Sequence, residues 1–285
     1  MVNIHVRSWR KLSSHGDDEP MVTCIAHSLF AKVRMQIPVI TGMIERRILA
    51  NYRIEAAVMA RHLPAPFRPR LINGYAIGGI CLIRLTDVKP QCFPMPFGLN
   101  SENAAHRIAV EWDDHGQVRH GVYVPRRDTD SRINAMMGGK MFPGVQHLAR
   151  FTTAMNSSPS GTTVNVAMSS EDGLIRVHVS GSVTKTLPSA SVFSNLDTAS
   201  QFFAEGAMGY SPNPNTKQLE GMELRCKQWQ VEALDIERCE SNYFSDATLF
   251  PAGSVTFDCA LLMRNIDHEW HQLANLCCPE SATTA

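Results

Sequence analysis

Apolar and polar positions alternate along most of the chain in short blocks, and turn-forming residues separate the blocks. Residues 46–54, RRILANYRI, alternate enough for a strand, and EAAVMARHL (55–63) spaces its apolar positions as a short helix. The prolines of LPAPFRP (63–69) end that helix, because they lack an amide donor and push the preceding residue out of the helical region. An Asn73-Gly74 turn leads into YAIGGICLIRLTDV (75–88), a long strand with Gly78-Gly79 as a bend or bulge. HRIAVEW and QVRHGVYV flank Asp113-Asp114-His115-Gly116 and predict a hairpin. VQHLARFTTAM, TTVNVAMSS and LIRVHVSGSV continue the strands, the last two joined around Glu171-Asp172-Gly173. Asp197 stands where it would cap a helix over 197–210, ended by Gly209 and the SPNPN turn. MELRCKQWQVEALDIE and SVTFDCALLM close the set. Many strands joined by turns, with few peripheral helices, predict an α+β protein with a large antiparallel β-barrel or sheet core.

Residues 1–40 are polar and then loosely amphipathic, and read as an N-terminal extension to a single domain over 41–275, with a C-terminal tail over 276–285. At 285 residues, 44% hydrophobic and 19% charged, the chain can bury a large core. Its formal net charge of zero gives no global field for nucleic acid or an anionic membrane surface. The longest apolar run, near 75–83, is cut by glycines and stopped by Arg84, too short to span a bilayer. The opening residues lack the apolar core of a secretory signal, and the eight cysteines form no CxxC pair. Both features predict a cytoplasmic protein with reduced thiols. No Gly-x-Gly-x-x-Gly follows a strand and opens a helix, so no nicotinamide or flavin cofactor is called for. The expected partner is a small molecule, with homo-oligomerisation left open.

The stretch VPRRDTDSRINAMMGGKMFPG (124–144) gathers Arg126, Arg127, Arg132, Asp128, Asp130 and Lys140. Arginine binds carboxylate or phosphate bidentately, which favours Arg126 or Arg127 as an anion clamp; the interleaved aspartates offer internal ion pairs instead. Lys140 follows Gly138-Gly139, where backbone can approach a ligand closely; the alternative is a salt-bridged lysine at a turn. If 103 onward is a strand, Glu102, Ala104 and His106 share a face. A carboxylate beside an imidazole is then a general acid/base pair. Tyr75, Phe93, Met95, Phe97, Phe151 and Met208 are candidates to line an apolar pocket, against ordinary core positions. His268-Glu269-Trp270-His271 has too few nearby ligands for tetrahedral zinc, so no metal is expected.

RRILANYRI with LPAPFRPRLINGYAIGGICLIRL, GLNSENAAHRIAVEW, GVYVPRRDTDSR with GGKMFPGVQHLARF, and FDCALLMRN with HEWH together resemble the YqjF-like uncharacterised family, DUF2071. The resemblance runs from about Met43 to His271. That family is related in fold to the acetoacetate decarboxylases, so the resemblance implies a β-barrel core enclosing a cavity. In the decarboxylases a glutamate and a lysine pair work together. A desolvated lysine beside another cation forms a Schiff base with a ketone, and the iminium accepts electrons as carbon dioxide leaves. Ser101-Glu102-Asn103 looks similar to the segment carrying the glutamate. The lysine pair is absent here: Gly144-Val145-Gln146-His147 stands between Phe142-Pro143 and Leu148-Ala149. His147 falls near the second lysine's place, where an imidazole base would replace the amine.

The leading expectation is a lyase, isomerase or cyclase using acid/base chemistry on a carbonyl or keto-acid-like substrate. In it Glu102 with His106 or His147 moves protons, and Arg126 or Arg127 holds an anionic oxygen. Lys140 as a Schiff-base former is the sharper variant. The alternative is a non-catalytic cavity protein for an apolar metabolite, with a wholly apolar lining and Glu102 and His106 locked together outside it. A third reading, an interaction role through residues 1–40, requires an exposed apolar helix there.

Overall fold

The computed structural model describes residues 38–92, 96–139, 142–159 and 161–277. In chain order the elements are β1 (Ile40–Glu55), α1 (Ala56–Ala60), β2 (Arg68–Pro69), β3 (Leu71–Ile72), β4 (Tyr75–Pro90), β5 (Leu99–Asp114) and β6 (Gln117–Thr129). There follow α2 (Arg132–Met137), β7 (Gln146–Ser158), β8 (Gly161–Ser170), β9 (Arg176–Thr184), α3 (Leu196–Glu205) and β10 (Met208–Asn213). The last four are β11 (Gln218–Cys226), β12 (Glu232–Ser241), β13 (Val255–Gln272) and β14 (Leu276–Cys277). The result is the expected strand-rich α+β fold with a large sheet core and few short helices. No described helix is long and apolar enough to cross a membrane.

The sheet runs β14-β11-β10-β6-β7-β8-β9-β12-β13-β1-β4-β5-β2, with β3 beside β4 and further pairings of β11 with β13 and β6 with β5. The β5–β6 pairing links β6 back to the far end of its own path. Most neighbours are antiparallel, but β6 pairs in parallel with both β7 and β10, so the sheet is mixed. The β5–β6 hairpin turns at His115 and Gly116, both in the left-handed region at φ 48° and 80°.

Strands β1, β4, β5 and β13 are buried on both faces. Ile48, Ala50, Leu82, Ile80, Ile108 and Leu262 feed one core, while Leu49, Cys81, Ile83, Ala109, Leu261 and Met263 feed a second. This explains the near-continuous apolar runs, since a strand covered on both sides has no solvent face to make polar. α3 belongs to the second core through Phe202 and Phe203.

Three local expectations change. Gly78-Gly79 makes no bulge; it pairs in regular register with Ile108 and Arg107, and its small size serves close approach instead. The third helix is capped by Asn195, whose side chain accepts the Thr198 amide at 2.8 Å, and Asp197 sits inside the first turn. The helix stops at Glu205, and 208–213 becomes β10, because pairing with β6 and β11 satisfies a backbone that a turn would have left open.

Leu82 is fully buried and Leu174 is 64% exposed. Leu82→Ala should therefore cost about 2–5 kcal/mol of unfolding free energy in a urea titration. Leu174→Ala should stay within about 0.5 kcal/mol of wild type.

Candidate functional site

Register places three arginines on one face. Pairing of β1 with β4 sets Arg47 opposite Ile83, Leu49 opposite Cys81 and Asn51 opposite Gly79. Pairing of β4 with β5 extends those rows to Asn103, Ala105 and Arg107. Pairing of β5 with β6 puts Arg127 beyond Ala105. Cross-strand neighbours lie about 5 Å apart, so the small residues at 79 and 105 open gaps that long arginine side chains can fill.

Arg107 crosses β4 over Gly79 and donates to Oδ1 of Asn51. A Cβ at Gly79 would stand 2.5 Å from the Ala50 carbonyl oxygen and 3.2 Å from Asn51 Oδ1, so glycine is required for the crossing. Arg47 donates from Nε to the Cys81 sulfur at 3.3 Å, and its guanidinium lies 5.5 Å from the Trp229 ring centroid. Arg127 donates from Nε to Ser211 Oγ at 2.9 Å. The Arg107 guanidinium sits 4.7 Å from the Phe203 ring centroid, and its Nε is buried without a hydrogen-bond partner.

All three arginines line a cavity of about 160 Å³, whose walls include Ile83, Val124, Met222, Phe142, Trp229 and Trp270. Among the described residues, none of the three makes an ion pair. Burial pushes Arg107 and Arg127 each down to about 10. A guanidinium taken from water without a counter-charge is costly, and a bound anion would relieve that cost. Asn103 and Asp128 add polar atoms to the same wall. Asp128 receives Arg126 Nε on both oxygens, at 3.0 and 3.2 Å, and Arg126 Nη2 at 2.7 Å. Burial drives the Asp128 carboxyl upward, against the pull of Arg126.

A larger hollow of about 870 Å³ lies by β9 and β12, next to Tyr52 and Cys239. Its Arg238 and Glu240 pair with each other at 2.8 Å, and its Arg176 and His178 stand on the less buried face of β9, so its charges are solvated where those of the first cavity are buried.

A family model for DUF2071, an uncharacterized conserved protein, matches residues 42–262. The chain belongs to that family. No curated protein matches it. Among solved structures, this DUF2071 chain is similar to an acetoacetate decarboxylase-like enzyme from Sphingomonas wittichii RW1, at 13% identity and a TM-score of 0.52, covering 87% of this chain and 98% of that one. It is similar to acetoacetate decarboxylase from Legionella pneumophila at 12% identity and a TM-score of 0.52, covering 83% and 87% of the two chains. It is also similar to the enduracididine biosynthesis enzyme MppR complexed with pyruvate, at 12% identity and a TM-score of 0.54, covering 92% and 99%. Likeness at these identities establishes a shared fold and nothing finer.

In this DUF2071 protein the residues selected from sequence go to different places. Glu102 and His106 do share a face of β5, but that face turns toward the first core, away from the arginines. Glu102 is bound by Arg46 Nη2 at 2.5 Å, and burial drives its carboxyl upward against that guanidinium. His106 is fully buried beside Tyr243 and Phe244, with Nε2 3.3 Å from Ser241 Oγ, and burial pushes it down to about 3. Each therefore has its own partner. His147, half-buried on β7, lies 3.4 Å from Asp172, and strand alternation gives the cavity Gln146 in its stead. Arg126 joins Asp128 to Asp172 outside the cavity wall, whereas Arg127 lines the cavity.

Tyr75 and Phe97 are exposed, and Phe151 and Met208 pack against the first core; none of the four lines the cavity. Lys140, Phe93 and Met95 lie outside the described residues. His268 is buried against the Trp270 ring, and His271 bonds Glu269 at 2.8 Å. Arg47, Arg107 and the two tryptophans are not among the site residues selected from the sequence, and Asp128 is expected there as an ion-pair partner, which it is to Arg126. For Arg47 and Arg107 the available signal was a charge set in a strand with apolar residues on both faces.

His106 sets a pH dependence. Between its ordinary 6.5 and about 3 the unfolded chain binds a proton that the folded chain refuses, so stability falls as pH drops through that window. From about pH 7 to about pH 5, wild type should lose about 2 kcal/mol more unfolding free energy than His106→Phe, measured by denaturant titration at each pH.

Proposed function

We propose that this DUF2071 protein is an acid/base enzyme acting on a small keto-acid-like carboxylate in the arginine-lined cavity. The observation that carries the reading is the convergence of Arg47, Arg107 and Arg127, none of them ion-paired, on one small and otherwise mostly apolar hollow. Such a hollow favours a ligand with a compact apolar body and one anionic end. Guanidinium groups in a water-poor site also stabilise charge that develops on an enolate oxygen. Asp128 is the carboxylate that lines the cavity, and burial drives its carboxyl upward against the pull of Arg126, which makes it the candidate proton carrier. The fold it shares with the acetoacetate decarboxylases, and with MppR in complex with pyruvate, supports the substrate class by analogy.

Proton exchange on pyruvate tests the reading. In deuterated buffer the protein should speed deuterium incorporation into the methyl group, followed by NMR, and Asp128→Asn should abolish that acceleration. Pyruvate should raise the melting temperature and its neutral methyl ester should not. Arg127→Met should weaken pyruvate binding at least about tenfold, the scale of one charge-assisted hydrogen bond. Binding without accelerated exchange would leave a carboxylate-binding cavity and remove the catalysis.

A further inference from the structure

Cys81 stands at the centre of the arginine face. It follows Gly79 and precedes Ile83 on that face, with Leu49 on one side and Ala105 on the other. Its sulfur accepts the Arg47 Nε donor at 3.3 Å, and the side chain lines the cavity. Arg127 is two strands away along the same row, with only the methyl group of Ala105 between. Arg107, 4% exposed, lines the same space and keeps a buried Nε with no partner.

A buried cysteine is ordinarily inert core filler. Cys259 fits that description: it is fully buried on β13, packs in the second core and accepts from Asn51 Nδ2 at 3.7 Å. Cys81 belongs to the same core cluster, but unlike Cys259 it also lines the cavity and accepts a guanidinium donor, Arg47 Nε, that has no counter-charge among the described residues.

We propose that Cys81 is a covalent capture site for small electrophilic carboxylates. The inference rests on the anion-binding reading above. The arginines seat the carboxylate, which brings the adjacent electrophilic carbon to the sulfur. With an α-keto acid the S–C bond forms as the carbonyl π pair moves onto oxygen, and the thiol proton ends on that oxygen. The product is a thiohemiketal; nothing is oxidised or reduced, and the step reverses by the same path. With iodoacetate the S–C bond forms as the C–I bond breaks, iodide leaves and the thiol proton passes to buffer.

The test compares iodoacetate with iodoacetamide, which differ in charge at nearly equal size, on the full folded chain with peptide-resolved mass spectrometry. Cys92 and Cys277 are exposed and serve as internal references. Relative to Cys92, Cys81 should prefer iodoacetate by at least about tenfold, the scale of one charge-assisted hydrogen bond. Pyruvate should protect Cys81 and leave Cys92 unchanged, and Arg127→Met should reduce the preference. If Cys81 stays unmodified in the folded chain yet reacts after urea unfolding, while pyruvate still raises the melting temperature, covalent capture is overturned and the anion site stands. If Cys81 shows the preference of Cys92 and pyruvate neither protects nor stabilises, both are overturned.

Discussion

A guanidinium cannot be left in a core covered on both sides without something to offset its lost hydration. That constraint organises this molecule, because β1, β4, β5 and β13 are buried on both faces and all four carry arginines mid-strand, with Arg46 on β1 and Arg107 on β5 buried outright. On one face Arg46 meets Glu102, a buried pair that neutralises itself. On the other face Arg47, Arg107 and Arg127 meet a thiol, an amide oxygen, a hydroxyl and aromatic rings. The same residue type on adjacent positions of β1 thus gives a closed ion pair on one face and an unpaired cation lining a cavity on the other, and alternation alone decides which.

The open site depends on small residues as much as on charged ones. Gly79 lets Arg107 reach across a strand to Asn51, and Ala105 leaves room between Cys81 and Arg127. A larger side chain at either position would fill the hollow and push the cations apart, so the cavity is written into the register of three ladders. Asp128, fully buried, lines the same cavity and is bound by Arg126, which itself spans to Asp172.

Much of the fold was legible because strand alternation and turn residues are local. RRILANYRI, the Asp113–Gly116 hairpin and the β8–β9 turn all fall where the pattern puts them. The DUF2071 resemblance, resting on extended blocks of residues, supplied the architecture that periodicity left open. The site was less legible. Alternation correctly put Glu102 and His106 on one face, but which face looks into a cavity is a property of the assembled layers. His147 and Arg126 show the same limit by one residue each, since Gln146 and Arg127 take the cavity side. The SPNPN segment reads locally as a turn, but its first three residues are strand because Ser211, Pro212 and Asn213 pair with Glu220, Leu219 and Gln218 of β11.

The neighbours of β1 are made at very different times. β4 follows within one hairpin-like excursion, but β13, which pairs with β1 from Ile40↔Trp270 to Ile54↔Val255, is the last long strand of the chain. During synthesis, a strand rich in apolar residues therefore waits with one row of amides and carbonyls bare until β13 emerges. Unpaired edges of this kind template wrong pairings, so nascent chains stalled or cleaved before β13 are the species most exposed to aggregation and most in need of a chaperone.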